Sequence, residues 1–243
     1  MYKKYVYLNY TKTTNMKKLL TGVTLLLLAT VTLMPLAKAQ KVPFTGTVVY
    51  DVTVAGDVPE QAKSMMPTEM TEKATADKMI MIMHSSMMDI RTIYDATNQI
   101  SYMLMDMMGQ KINIKNTVAE LADQKKKNGL VMSAKPTSDT KTIAGHLCKR
   151  AIVTIKTNQT AEQTFDCYYT EDYDVSKFSF GSTLPDVNGL PLEFSMAQGP
   201  FSLKMTAKSI KVENIPDSVF EISADYKIMT QDQLKSMFGG GGQ

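Results

Sequence analysis

Two short runs of alternating methionines constrain the fold of this chain more than any other feature, Met-Ile-Met-Ile-Met at 79–83 and Met-Leu-Met-Asp-Met-Met at 103–108. Side chains alternate between the two faces of a β-strand, so each run predicts a strand with three methionines on one side. These residues are Met79, Met81, Met83, Met103, Met105 and Met107. Methionine adapts to irregular apolar surfaces, and its thioether is a soft ligand for Cu(I). The runs therefore predict an apolar, methionine-lined wall.

The rest of the chain has the same short alternating pattern, with turn residues between the segments. The predicted strands are 44–55, 69–76, 78–84, 88–95, 99–107, 110–115, 138–144, 146–156, 162–170, 191–198 and 201–213. A meander of this length must curl or close, because long flat edges promote aggregation. We expect a mainly β fold, a curved antiparallel sheet or half-open β-barrel of about ten strands.

Three segments have helical character and are expected to form one to three short helices over the sheet. The first is 58–66, which carries Met65 and Met66 and ends at Pro67. The second is 117–127, where Thr117 and Glu120 have the spacing of a capping box, and the third is 230–238. If the helices cover the methionines completely, the wall is a core. If they form a movable lid, with Met65 and Met66 on it, the wall becomes a pocket.

The N-terminus has the organisation of a secretory signal peptide. Lys17 and Lys18 precede an apolar stretch at 19–31, and Ala37-Lys38-Ala39 fits the small-x-small cleavage rule. We expect cleavage after Ala39 and a periplasmic or secreted product, with residues 1–15 as extra sequence before a start at Met16. The remaining chain is expected to form one β-rich domain over 40–238, followed by a flexible Gly-rich tail at 239–243.

The charge balance argues against nucleic-acid binding. Six of the 27 basic residues lie in the first 39, which leaves 21 basic against 24 acidic residues in the predicted mature chain. Phosphate recognition requires a concentrated basic face, and none is evident. The chain has only two histidines, and no nucleophile elbow, phosphate loop or dinucleotide motif appears. We therefore expect a protein that is not an enzyme and needs no cofactor.

The two cysteines, Cys148 and Cys167, lie at the start and end of consecutive predicted strands. A turn near 157–159 would place them opposite each other, and export to an oxidising compartment favours a bond between them. The sequence predicts a cross-strand disulfide. Two buried thiols and a redox pair are the alternatives.

Three functional hypotheses follow from the methionine runs. The first is a binding or carrier protein that holds an acyl chain, lipid or lipidated peptide against the wall formed by the six methionines, with peripheral contact to membranes or lipoproteins. The second is a Cu(I)-handling protein that uses Met79, Met81, Met83 and His84. The third is a structural envelope protein with a filled core and no ligand.

The second half of the chain carries a resemblance. Thr142-Ile143-Ala144-Gly145 leads through Cys148 to Ala151, and Gly189-Leu190-Pro191 forms a later turn. With the segments at 168–170 and 217–222, this pattern resembles a family of secreted bacterial proteins built around a domain of unknown function. That family is similar to the Lol (LolA-like) lipoprotein-carrier superfamily. The resemblance implies a half-open antiparallel barrel with a helical lid over an apolar cavity, and a lipidated or hydrophobic cargo.

Overall fold

A computed structural model describes residues 41–56, 58–63, 65–107, 109–158, 160–179, 184, 187–198 and 201–239 of the chain. All of these residues fall in one compact unit. The predicted signal peptide, Met108 and the last four residues of the predicted Gly-rich tail lie outside the described residues.

Fourteen strands are present in the described part of the chain, and twelve of them form one sheet. In chain order the twelve are β2 (Gly46–Gly56), β3 (Glu69–Ala74), β4 (Lys78–His84), β5 (Met88–Asp95), β6 (Ile100–Met107), β7 (Gln110–Thr117), β8 (Val131–Ile143), β9 (His146–Lys156), β10 (Gln163–Thr170), β12 (Leu190–Gln198), β13 (Phe201–Val212) and β14 (Lys227–Ile228). Two short strands, β1 (Val42–Pro43) and β11 (Tyr173–Asp174), pair with each other in parallel.

The sheet has the spatial order β14-β7-β6-β5-β4-β3-β2-β13-β12-β10-β9-β8. Strands β2 to β7 are consecutive antiparallel neighbours, which is the predicted meander. Strand β14 runs parallel to β7. The expectation of a mainly β, curved antiparallel sheet with short helices is confirmed, but the sheet has twelve strands and is not closed.

Local turn chemistry explains the two-residue connection between β8 and β9. Strand β8 turns into β9 through Ala144 and Gly145, which have φ values of 47° and 84°. Two consecutive positive φ values match the right-handed twist of the flanking strands, as in type I′ hairpins. This turn pairs Ile143 directly with His146.

Strand β8 is one edge of the sheet, and the two-residue β14 is the other. Pro136 lies within β8, and the pairing of β8 with β9 is irregular between Pro136 and Thr140. A proline has no backbone N–H to donate, so it is compatible with an edge strand and not with a central one.

Both faces of the central strands are covered by apolar side chains. On one face, Ile80, Ile93 and Leu104 pack against Ile215 and Phe220, which belong to the segment that follows β13. The larger core lies on the other face. Its fully buried members include Tyr50 of β2, Met70 of β3 and Met205 of β13.

The first helix is shorter than the predicted segment 58–66, and the other two agree with their predicted bounds to within one residue. Helix α1 (Glu60–Lys63) is a single turn. Helix α2 (Val118–Lys127) begins at the predicted capping box of Thr117 and Glu120 but contributes no buried residue. Helix α3 (Gln231–Gly239) packs Leu234 against the sheet. Within the described ranges, none of these helices has the length and apolar character needed to cross a bilayer.

The expected disulfide is wrong, because Cys148 and Cys167 are both free. The pairing of β9 with β10 places Cys148 opposite Thr170 and Cys167 opposite Ala151. At about 3.3 Å per residue, the two cysteines are offset by about 10 Å along their strands, which exceeds the Cα separation that a disulfide can bridge. The alternative of two buried thiols describes these residues.

This finding predicts that neither cysteine reacts with a thiol reagent in the folded protein. Both side chains are fully buried, and desolvation raises the pKa of Cys148 to about 11 and that of Cys167 to about 12, so both stay in the unreactive thiol form. Mass spectrometry after maleimide treatment without reductant should show no label on the native protein and a label on both cysteines in guanidinium chloride. Failure of the unfolded, unreduced protein to take up label would instead reveal a bond.

Candidate functional site

The pairing register brings the two methionine runs onto the same side of the sheet. Met83 of β4 pairs with Ile90 of β5, and Ile90 pairs in turn with Met105 of β6. Directly paired residues in an antiparallel sheet point to the same face. All six predicted wall methionines therefore share one face of β4 and β6, which we call the methionine face.

Side chains on this face form rows that cross β3 to β7. One row consists of Met70, Met83, Ile90, Met105 and Ile112. The next consists of Glu72, Met81, Thr92, Met103 and Ile114. A third consists of Ala74, Met79, Tyr94, Ser101 and Asn116. Along these five strands the pairing has no register shift, so the rows are continuous.

The methionine face is covered at its two ends and less completely in its middle. At the β6–β7 end, Met229 and Leu234 of the C-terminal segment pack against the group formed by Met105, Ile112 and Ile114. At the β2 end, Phe44 and Phe178 belong to the larger core. Between these covers, four of the wall methionines remain half-buried, namely Met81, Met83, Met103 and Met107.

The residues predicted for a lid lie at the β2–β3 connection. Met65 is 45% exposed and Met66 is half-buried. Neither belongs to the apolar groups that pack against the sheet cores in the described part of the chain. In the described part of the chain, Leu234 of α3 packs on the methionine face, and Phe178 belongs to the larger core that includes Met79.

The residues of the copper hypothesis are divided between the two faces of β4. Strand alternation directs His84 away from the face that carries Met79, Met81 and Met83. The His84 side chain is 78% exposed, and its Nδ1 contacts the carboxylate of Asp89. The described residues also contain no group of three or more His, Cys, Asp or Glu side chains placed to hold a metal ion.

A buried carboxyl group is the polar feature of the methionine face. Glu72 is 5% exposed, and its Oε1 has no hydrogen-bond partner among the described residues. It lies between Val48 of β2 and Met81 of β4, its two directly paired neighbours. On β2 to β7, all of whose residues are described, it is the one Asp, Glu, Lys or Arg on this face.

Burial controls the ionisation of this group and of its neighbours. Desolvation raises the pKa of Glu72 from 4.5 to about 7. Desolvation, followed by the negative charge of Glu72, raises the pKa of Tyr94 to about 12, and the same causes raise the pKa of Tyr50. The two phenols are therefore close enough to sense the carboxyl group. The Tyr50 hydroxyl itself donates to the carbonyl of Pro191 at 2.9 Å.

Glu193 provides a contrast on the other side of the sheet, because it is equally buried but has partners. Lys141 Nζ lies 2.8 Å from its Oε2, and Lys204 Nζ lies 3.2 Å from its Oε1. Desolvation opposes its ionisation, but the bonds from the two lysines outweigh that cost and lower its pKa. This fold therefore provides ion-pair partners for one buried glutamate, Glu193. Among the described residues it provides no hydrogen-bond partner for Oε1 of the other, Glu72.

A histidine–aspartate pair and a cavity are two further features of the described residues. His146 Nδ1 lies 2.7 Å from Asp172 Oδ2, and Cys148 is two residues away on the same strand. The raised pKa of Cys148 keeps it a thiol, which is a poor nucleophile. A separate cavity of about 580 Å³ lies between α2 and the start of α3, lined partly by Lys115, Glu120 and Thr230.

Glu72 was not predicted as a site residue from the sequence, although the signal is present. Met70 and Ala74 flank it at strand spacing, and both are fully buried. The alternation apolar, Glu, apolar on one face indicates a carboxylate directed into a core.

Comparison with known proteins gives no family assignment. A scan against protein-family models finds no model that matches this chain, and a search of curated proteins finds no significant match.

The unsatisfied carboxyl group predicts an unusual dependence of stability on pH. The folded pKa of Glu72 is above the unfolded value, so the folded protein retains a proton that the unfolded chain loses. The free energy of unfolding should therefore fall by about 3 kcal/mol as the pH rises from below the pKa of Glu72 in the unfolded chain to above its pKa in the folded protein. Glu72→Gln should remove this fall, as measured by urea unfolding across the pH range.

Glu193→Gln is the matched control, because it changes an equally buried glutamate whose pKa is lowered. This variant should lose stability at neutral pH, where the wild-type carboxylate is paired with two lysines. A Glu72→Gln protein that loses stability to the same degree as Glu193→Gln near neutral pH would contradict the assignment of Glu72 as unpartnered.

Proposed function

We propose that this protein is an exported, non-enzymatic binding protein that holds the acyl chain of a lipid or lipidated peptide against the methionine face. The observation that carries the proposal is that four wall methionines stay half-buried, although Met70, Met79 and Met105 on the same face are buried. The four are Met81, Met83, Met103 and Met107. An apolar surface in that state gains stability when a ligand covers it.

The chemistry of the wall supports an adaptable apolar ligand. Thioether side chains are unbranched and have three rotatable bonds, so they adjust to chains of different length and saturation. Thr92 and the β-branched Ile90 lie between the methionine strands and keep the surface continuous. A largely apolar wall with few polar groups is typical of small-molecule sites.

The position of α3 supports a route for ligand entry. Met229, which precedes the helix, and Leu234 within it pack against the β6–β7 end of the methionine face. The helix follows the two-residue strand β14, and Met229 N–H donates to the Asn113 carbonyl at 2.9 Å. Displacement of this cover would open the face, and its return would bury the acyl chain.

The predicted signal peptide supports export, and the absence of catalytic motifs in the sequence supports a binding role. A hydrophobic ligand that must cross an aqueous compartment requires a protein that shields it from water.

We expect the purified protein to carry lipid. Native mass spectrometry should show an added mass that disappears after delipidation, and the delipidated protein should bind a polarity-sensitive fluorescent dye that a long-chain alcohol displaces. A single apo mass together with no dye uptake would exclude the proposal.

The placement of the ligand on the methionine face is tested with near-isosteric Met→Gln changes. The double variant Met83→Gln/Met103→Gln adds polar groups to the half-buried wall and should weaken dye binding by about tenfold, because each buried amide must be desolvated. The control Met87→Gln changes a methionine that is 49% exposed and lies between β4 and β5, and should leave binding unchanged. Equal effects of Met87→Gln and of the double variant would contradict the placement of the ligand on the methionine face.

A further inference from the structure

Glu72 is a buried carboxyl group that shares its face of β2 to β7 with no lysine or arginine. Among the described residues its Oε1 has no hydrogen-bond partner, whereas the buried Glu193 has two lysines at 2.8 Å and 3.2 Å. A buried polar atom without a partner costs about 1–3 kcal/mol, so an unsatisfied group in a folded protein requires an explanation. A ligand group that pairs with the carboxylate supplies one.

The surroundings of Glu72 define the chemistry of that group. On the methionine face of β2 to β7 its neighbours are apolar side chains and the rings of Tyr50 and Tyr94. Aromatic faces attract cations, and this part of the face has no lysine or arginine to offer as a counter-ion. Hard metal ions such as Ca²⁺ need six to eight oxygen ligands, which thioethers do not replace. An organic ammonium group meets these conditions.

The position of Glu72 in its row places that ammonium at the end of an aliphatic chain. The row continues through Met81, Thr92 and Met103 to Ile114. Four strand spacings of about 4.8 Å give it a length of about 19 Å. One leaflet of a bilayer has about 15 Å of hydrocarbon, half of the full core. A lipid chain can therefore lie across the half-buried methionines with its polar end at Glu72.

We propose that Glu72 recognises a single positive charge at the end of an aliphatic ligand, so that the methionine face selects long-chain amines over alcohols and carboxylic acids of the same length. This inference rests on the proposed function, because it assumes that an aliphatic chain binds to this face. Met81, which is half-buried and directly opposite Glu72, is the side chain that must move to admit the ammonium group.

Ionisation of Glu72 makes this selection dependent on pH. The titratable groups that face it are Tyr50 from β2 and Tyr94 from β5, and both stay neutral because their pKa values are raised. Strand β4 faces it with methionines. Because the pKa of Glu72 in the free protein is about 7, affinity for an ammonium group should fall about tenfold between about pH 8 and about pH 6. A long-chain amine keeps its charge over this range.

Isothermal titration calorimetry of the delipidated full protein tests the inference with dodecylamine, dodecanol and dodecanoate. At about pH 8, wild-type protein should bind the amine about 30-fold more tightly than the alcohol, and the carboxylate more weakly than the alcohol. Glu72→Gln should reduce the amine preference to near unity and leave dodecanol binding unchanged. Glu193→Gln should keep the preference.

The outcomes separate the two proposals. Equal binding of all three probes by wild-type protein, or an amine affinity that does not change with pH, overturns the role of Glu72 and leaves the hydrophobic-ligand function standing. Failure of every probe to bind overturns both. The pH dependence and probe order of the wild type test the inference even if Glu72→Gln does not fold.

Discussion

The backbone pairing of β3 to β7 is the constraint on which the rest of the structure depends. Four successive antiparallel pairs keep one register without a bulge. Register shifts occur elsewhere in the sheet, in the pairings of β2 with β13, β8 with β9 and β10 with β12. A slip of one residue in the pairing of β4 or β6 would move the methionines of the slipped strand to the opposite face of the sheet. The continuous wall and the placement of Glu72 opposite Met81 both follow from this register.

The two buried glutamates show how the same fold treats one chemical group in two ways. Glu193 lies where two lysine side chains reach it, and its charge is stabilised. Glu72 lies among apolar side chains and the rings of Tyr50 and Tyr94. A leucine at this position would avoid the cost of desolvating a carboxyl group. Locally unfavourable choices of this kind concentrate at functional positions, because elsewhere they only reduce stability. The contrast is the basis on which we propose that Glu72, unlike Glu193, pairs with a ligand.

The sequence predicted the meander well because turn residues limit every strand in it. The bounds of β4 and β5 agree with the prediction, and the capping box at Thr117 identified the start of α2. The predicted cysteine pairing was wrong because the register of a hairpin depends on the geometry of its loop, which single residues do not specify. In the observed register, Cys148 pairs with Thr170, three positions beyond Cys167. The burial of Glu72 was missed because a charged residue is usually assigned to the surface, although the apolar residues Met70 and Ala74 alternate with it. The covers of the methionine face depend on long-range packing, which local patterns do not encode.

The open edges of the sheet have a consequence for how the molecule behaves among its own copies. An exposed strand as long as β8 offers backbone groups to any passing chain, and a twelve-stranded sheet without closure would ordinarily be a template for fibrils. Pro136 removes one donor in the middle of that strand, and the irregular pairing that follows it breaks the repeat that a stacked copy would need. At the opposite edge, β14 is only two residues long. The fold thus keeps an open sheet while limiting addition of a further strand to either edge.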